Sequence, residues 1–206
     1  MLDTPLPRLY ATAPEPLPFA PSLLIRAFVL EREAGNLLVY AAPTVGAAAP
    51  AIEALGGVTR QYLNHWHETS FGGSGGGGGA PVYVHADDRA AAEDSVRIDE
   101  TFSDRTRLDD DFELIPTPGH TPGATAFLWD SGEHRLLFTG DSVYLRDGEW
   151  VAAVLEGSSD RAAYIDSLEL LRELEFDALV PWAARGEPYY TRTDPADARR
   201  RIGAIL

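Results

Sequence analysis

The sequence predicts one α/β domain spanning residues 1–206. Apolar runs of strand length outnumber the stretches with helical spacing, and the two kinds alternate in two similar halves. With 45% hydrophobic and 24% charged residues, a chain of this length can bury a full hydrophobic core. No short internal repeat is visible. We therefore expect a single domain built from mixed strands and helices.

The first half is predicted to be mostly strands. The apolar runs Ser22–Leu30 and Asn36–Ala41, separated by a glycine-containing loop, predict a β-hairpin. An alanine-rich stretch predicts a short helix over Ala47–Leu55, and a second short helix is predicted over Asp87–Asp94, capped by its own aspartates. The remaining predicted strands of this half are Arg8–Thr12, Val58–Leu63, Pro81–His85 and Val96–Ile98.

The second half is predicted to contain a further hairpin and the longest helix. That helix spans Asp160–Leu174, where apolar residues recur at helical spacing, and a C-terminal helix is predicted over Pro195–Leu206. Thr117–Gly123 contains too many prolines and glycines for anything but a loop. The predicted strands are Phe112–Ile115, Ala124–Trp129, Arg135–Thr139 and Ala178–Pro181, the second and third of which form the hairpin.

Composition excludes several classes of function. The chain has no cysteine, so disulfides, thiolate ligands and cysteine nucleophiles are absent. Its formal charge of −15 argues against nucleic acid or an anionic membrane as partner and leaves a small-molecule substrate. Arg26 interrupts the best apolar stretch near the N-terminus, so neither a signal peptide nor a transmembrane helix is predicted, and we expect a cytoplasmic protein.

Seven of the eight residues in Gly72–Gly79 are glycine. Glycine loses more conformational freedom on folding than any other residue, so a mobile loop is expected here, bordering the site described next. The run is not a phosphate-binding loop, because no lysine follows it and the required spacing is missing.

Two of the five histidines, His65 and His67, follow the predicted strand Val58–Leu63 directly. Alternate side chains of an extended chain point to the same side, so these two imidazoles can converge on one point, as ligands of a transition metal do. The alternative is a pair of histidines on the polar face of an edge strand. His120 and Asp141, which lie in a tight loop and directly after a strand, favour the metal site.

With these residues in view, the chain resembles the metallo-β-lactamase superfamily of metal-dependent hydrolases from about residue 20 to residue 185. The family motif His-x-His-x-Asp-His followed by Gly-Gly stands here as residues 65–73. The family's Pro-Gly-His-Thr-Pro-Gly loop is matched by Pro118–Gly123, and its aspartate after an apolar strand by Leu137–Asp141. The resemblance implies a four-layer αβ/βα sandwich of two mixed β-sheets with helices outside and a metal site at one edge.

The departures from the family pattern concern its second metal. Thr69 and Ser70 stand where the family has aspartate and histidine, and alanine stands near Pro181–Ala184 where it has a last histidine. A neutral hydroxyl is a poor ligand for a divalent metal. The resemblance therefore implies one divalent metal, zinc or alternatively Fe(II) or Mn, held by His65, His67 and His120 with Asp141.

This pattern predicts a mononuclear hydrolase of a small ester, thioester or lactone that uses a metal-activated water. In this interpretation Asp141 binds the metal or orients and deprotonates the water. Glu68 is a candidate general base, and the interpretation favoured for it is a solvated side chain.

Two alternatives stay open. His65, His120 and Asp141 could form the two-histidine, one-carboxylate face of an Fe(II) enzyme, as in the persulfide-dioxygenase branch of the same superfamily. The loss of second-site ligands also fits a decayed member that binds a metal or ligand without catalysis, although decay does not explain why every first-site ligand is kept.

Overall fold

The structure is a computed structural model that describes residues 2–71 and 79–206. The chain separates into two compact units, an N-terminal unit (Met1–Ser103) and a C-terminal unit (Asp104–Leu206). None of the described helices is both long and apolar enough to cross a membrane. The helices are Val45–Ala54 (α1), His67–Phe71 (α2), Arg89–Glu93 (α3), Arg161–Arg172 (α4) and Pro195–Gly203 (α5).

The N-terminal unit is built on a seven-stranded mixed sheet with the order β1-β2-β5-β6-β7-β8-β9. Pairing is antiparallel from β1 to β6 and parallel from β6 to β9, while β3 and β4 form an antiparallel hairpin. The strands are Leu2–Asp3 (β1), Leu9–Ala11 (β2), Glu15–Leu17 (β3), Ala20–Ile25 (β4), Phe28–Leu30 (β5), Leu37–Val39 (β6), Arg60–Tyr62 (β7), Val82–His85 (β8) and Glu100–Phe102 (β9).

Burial in this unit explains why its strands lack simple alternation. Every residue of β5 and β6 is buried, as expected for strands covered on both faces. On one side Val29 and Leu38 pack with Val45 and Ile52 of α1. A second cluster joins Leu63, after β7, to residues of β8 and α3. The end of β7, from which His65 and His67 follow, is therefore anchored in a packed core.

The C-terminal unit contains a six-stranded mixed sheet with the order β10-β11-β12-β13-β16-β18, in which only β13 and β16 pair in parallel. Separately, β14 pairs with β15 antiparallel and with β17 in parallel. The strands are Thr106–Leu108 (β10), Phe112–Pro116 (β11), Thr125–Asp130 (β12), Arg135–Gly140 (β13), Tyr144–Arg146 (β14), Glu149–Val151 (β15), Ala178–Pro181 (β16), Ala183–Arg185 (β17) and Thr191–Arg192 (β18).

The N-terminus of the longest helix, α4, is capped by a side chain. The Asp160 carboxylate accepts hydrogen bonds from the amides of Ala162 and Ala163, which the first turn of a helix leaves unpaired. Its buried face carries Tyr164, Leu168 and Leu171, one turn apart, in the main core cluster of this unit. This helix passes directly beside the loop that carries His120.

The expected mixed α/β fold class is confirmed, as are the helices near the predicted α1, α4 and α5 and the hairpin of β5 with β6. One predicted strand, Ser22–Leu30, is wrong as a single element. The chain stops pairing with β3 at Ile25 and pairs with β2 from Phe28, so two strands form. Between them the Thr12 amide donates to the Ala27 carbonyl, and the Ala27 amide donates to the Thr12 hydroxyl.

Two further predictions of the first half are wrong. The strand predicted over Val96–Ile98 lies instead at Glu100–Phe102, because the Asp99 amide donates to Val82 and the parallel ladder with β8 starts only after it. The short helix near residue 90 is not capped by its aspartates. The ring of His85 accepts the Asp87 amide at the start of a 3₁₀ turn that leads into α3.

Two expectations stay predictions. A single domain over residues 1–206 is one of them. The other is a mobile loop over Gly72–Gly79, since residues 72–78 lie outside the described part of the chain.

Candidate metal centre

His65 and His67 meet through a turn and a helix start, so the extended geometry predicted from their spacing is wrong. The strand β7 ends at Tyr62, His65 lies in the turn that follows, and His67 is the first residue of α2. The ring centroids of the two histidines lie 5.2 Å apart at an interplanar angle of 81°. His65 is completely buried, whereas His67 is partly exposed.

Glu68 is buried, which contradicts the expectation of a solvated side chain. Its Oε2 accepts the Ala41 amide at 2.8 Å, and its Oε1 accepts the Asn64 amide at 2.8 Å. The same Oε1 lies 3.4 Å from Nδ1 of His65. Burial raises the pKa of Glu68, an effect that the His65 ring and the two backbone donors oppose. The carboxylate thus joins the segment after β6 to the segment after β7 and faces one nitrogen of His65.

Thr69 and Ser70 stand where the family has two further metal ligands. Thr69 donates a hydrogen bond of 2.7 Å to the carbonyl of Trp66, and Ser70 is exposed. Trp66 packs against the core cluster around Leu63, and its ring centroid lies 4.0 Å from that of His67. The Thr69 hydroxyl is therefore used within its own helical turn.

His120 is held in the C-terminal unit by a backbone group. It lies in the loop between β11 and β12, and its Nδ1 is 2.7 Å from the carbonyl of Ala153. A carbonyl can only accept, so Nδ1 carries a proton here, and in the neutral ring Nε2 is the nitrogen with the free lone pair. Nε2 lies 3.8 Å from Oδ2 of Asp141, the residue directly after β13.

Asp141 keeps 16% of its side chain exposed beside the nearly buried His120. Its backbone is fixed by Tyr164 of α4, whose hydroxyl is 2.7 Å from the Ser142 carbonyl and 3.2 Å from the carbonyl of Asp141. Burial raises the pKa of Tyr164, so the phenol is protonated and donates to these carbonyls.

Within the described residues, His65, His67 and His120 form a group with metal-ligating potential. One ring nitrogen of each lies within 4.8 Å of those of the other two. Three imidazoles at this spacing form a donor set typical of zinc and other first-row transition metals.

The region expected to supply the last family histidine offers no donor side chain. Ala183 and Ala184 are buried at the start of β17, and neither carries a ligand atom. Sequence reasoning missed two contributors to the site, the Ala153 carbonyl and the Tyr164 hydroxyl. A backbone carbonyl has no sequence signature, and the tyrosine stands at helical spacing like any core residue.

Comparisons with known proteins point to one family. A sequence model described as the Metallo-beta-lactamase superfamily matches residues 32–183. A comparison with curated protein sequences returned no match.

Among solved structures, a metallo-β-lactamase from Pontibacter korlensis is 16% identical, with a TM-score of 0.69 over 98% of this chain and 97% of that chain. ETHE1 from Myxococcus xanthus is 17% identical, with a TM-score of 0.60 over 88% and 79%. AidC, a dizinc quorum-quenching lactonase in complex with a product, is 13% identical, with a TM-score of 0.56 over 84% and 76%. These likenesses show the metallo-β-lactamase fold. Because the family model covers well over half of the 206 residues, the chain belongs to the metallo-β-lactamase superfamily.

Proposed function

We propose that this protein is a mononuclear metal-dependent hydrolase of a small ester, thioester or lactone. The observation that carries the proposal is the approach of ring nitrogens of His65, His67 and His120 to within 4.8 Å of one another. The Thr69 hydroxyl, bonded to the Trp66 carbonyl, supports a single metal because it is turned to its own backbone.

The donor set fits one divalent metal, with zinc as the first choice. Nδ1 of His120 faces the Ala153 carbonyl, and Nδ1 of His65 faces the Glu68 carboxylate. Such partners fix the tautomer and direct Nε2 to a metal. Three histidines with an open fourth position are a known catalytic zinc arrangement. When bound, the metal lowers the pKa of a coordinated water towards about 7 and polarises a carbonyl oxygen.

Asp141 is proposed as the catalytic carboxylate. Its Oδ2 lies 3.8 Å from Nε2 of His120, and its side chain is partly exposed, so it can orient an attacking water and accept its proton. Glu68 has no exposed surface and is bonded to two backbone amides. We propose that it acts through His65, as a positioning residue, instead of serving as the general base.

The proposed substrate is a small molecule. The net charge of −15 disfavours a polyanion such as nucleic acid, and the proposal requires only a carbonyl carbon that water can attack. A cytoplasmic location belongs to the same proposal.

The test is a panel of small esters, thioesters and lactones assayed with zinc, manganese and iron(II). We expect hydrolysis by the wild type, loss of metal affinity and activity in His120→Ala, and a tenfold to thousandfold slower rate in Asp141→Asn, on the order expected for a lost acid–base or electrostatic group. The matched control is His134→Ala, which removes a partly exposed imidazole of the same unit that lies 3.1 Å from Asp177. Hydrolysis that survives His120→Ala would rule the proposal out. Oxygen consumption with iron and a persulfide, without hydrolysis, would favour the Fe(II) alternative.

A further inference from the structure

The loop that carries His120 is fastened to the first turns of α4. The Gly119 carbonyl accepts the Asp160 amide at 2.9 Å, and the Ser167 hydroxyl donates to the Pro118 carbonyl at 2.7 Å. Gly119 has φ +135°, and a Cβ at this position would lie 2.4 Å from Cα of Tyr164. The loop backbone and the helix backbone are thus in direct contact at Tyr164, with no room for a side chain between them.

The Tyr164 hydroxyl is the point where two further segments meet. It accepts the Ala153 amide at 3.0 Å and donates to the Ser142 carbonyl at 2.7 Å. The carbonyl of the same Ala153 is the group 2.7 Å from Nδ1 of His120, and Ser142 follows Asp141 directly. One hydroxyl therefore joins the segment that orients the His120 ring to the segment that carries the Asp141 side chain.

We propose that Tyr164 is a positioning residue of the metal centre, which sets the His120 imidazole through Ala153 and the Asp141 carboxylate through the backbone of residues 141–142. The purpose given to Tyr164 here rests on the proposed function, whereas its hydrogen bonds are independent of that function. The Tyr164 side chain is nearly buried, with its ring in the core cluster that also contains Leu168 and Val143. In this proposal the ring contributes to core packing, and the hydroxyl aligns His120 and Asp141.

Tyr164→Phe separates these two contributions, because phenylalanine keeps the ring and removes the hydrogen bonds of the hydroxyl to Ala153, Ser142 and Asp141. The matched control is Tyr10→Phe, which removes a phenolic hydrogen bond of 2.8 Å to Glu31 in the N-terminal unit. Both variants are first checked for folding by circular dichroism and thermal unfolding.

The first readout is the rate at which the His120 Nδ1 proton exchanges with solvent in metal-free protein. The rate is measured by long-range ¹H–¹⁵N NMR, and the signal is assigned by its loss in His120→Ala. We expect this proton to be protected from solvent in the wild type and in Tyr10→Phe. In Tyr164→Phe its exchange should be at least about tenfold faster, since opening of a hydrogen-bonded group controls exchange. Equal protection in Tyr164→Phe and the wild type would overturn the inference, whatever the outcome with metal.

The second readout is the dissociation constant and visible spectrum of the Co²⁺ complex. Partners of metal ligands typically contribute about 10- to 100-fold in affinity, and we expect at least tenfold weaker binding and a changed spectrum for Tyr164→Phe alone. A wild type that binds no metal would defeat the proposed function and leave the NMR result to decide the role of Tyr164. An unchanged constant and spectrum in Tyr164→Phe, in a wild type that binds Co²⁺, would contradict the inference.

Discussion

Glu68 and His65 form a buried pair, with Oε1 of the carboxylate 3.4 Å from Nδ1 of the ring and neither side chain exposed to solvent. The two backbone amides that also donate to Glu68 come from Ala41, two residues after β6, and from Asn64, two residues after β7. A buried carboxylate is costly unless it is paired and hydrogen-bonded. On the proposed function, the charge of this carboxylate serves the metal centre through His65.

Glu68→Gln should therefore weaken metal binding. The substitution keeps the size of the side chain and removes the negative charge that faces His65, and loss of such a partner typically costs about 10- to 100-fold in metal affinity. Chelator competition measures the change. Glu93→Gln is the control, because it neutralises an exposed carboxylate of the same unit that pairs with Arg89. Equal affinities in Glu68→Gln and the control would refute the role.

The raised pKa of Glu68 also predicts a pH dependence for the metal-free protein. A carboxyl with a raised folded-state pKa binds more protons when folded than when unfolded, so its contribution to the free energy of unfolding falls as pH rises above 4.5, the reference value of glutamate. Glutamine does not titrate. In urea unfolding of metal-free protein, the stability of the wild type relative to Glu68→Gln should decrease between pH 4.5 and the folded-state pKa. A relative stability that increases over this range would contradict the sign.

The candidate ligands could be predicted from the sequence because they lie in short motifs with fixed spacing. His65, His67, His120 and Asp141 were named from these motifs, and the structure brings the three histidines together. What the motifs could not supply depends on pairs distant in the chain. From the sequence, Glu68 is predicted to be a surface residue. Its burial depends on the Ala41 amide, which is 27 residues away in the chain and donates to it. The helical start at His67 was missed because histidine spacing alone does not distinguish a strand from a turn.

Thr69→Ala should leave metal binding intact. The hydroxyl donates to the Trp66 carbonyl, so its loss removes one intramolecular hydrogen bond at a cost of about 1 kcal/mol in stability. The measurements are chemical denaturation and metal titration of the same sample. Ser70→Ala, which changes an exposed residue, is expected to alter neither. A more than tenfold loss of metal affinity in Thr69→Ala would show that this hydroxyl takes part in the site.

Gly119→Ala should disrupt the loop of His120. A methyl group at this position would lie 2.4 Å from Cα of Tyr164, and backbone atoms cannot move aside as a flexible side chain can. We expect a loss of at least about 3 kcal/mol in the free energy of unfolding, in the range of severe core overpacking. The control is Gly132→Ala, which also has positive φ but has nothing within 4 Å of the added carbon, and should cost about 1 kcal/mol. Equal costs for the two variants would contradict the close packing of loop and helix.

The number of metal ions bound per chain tests the proposed centre most directly. Protein purified without added metal or nickel affinity resin is loaded with zinc, passed through a desalting column and analysed for metal and protein content. Because His65, His67 and His120 supply one donor set and Thr69, Ser70 and Ala183 supply no second one, we expect one zinc per wild-type chain and none in His120→Ala. Two zinc ions per wild-type chain, or one that persists in His120→Ala, would contradict the single three-histidine site.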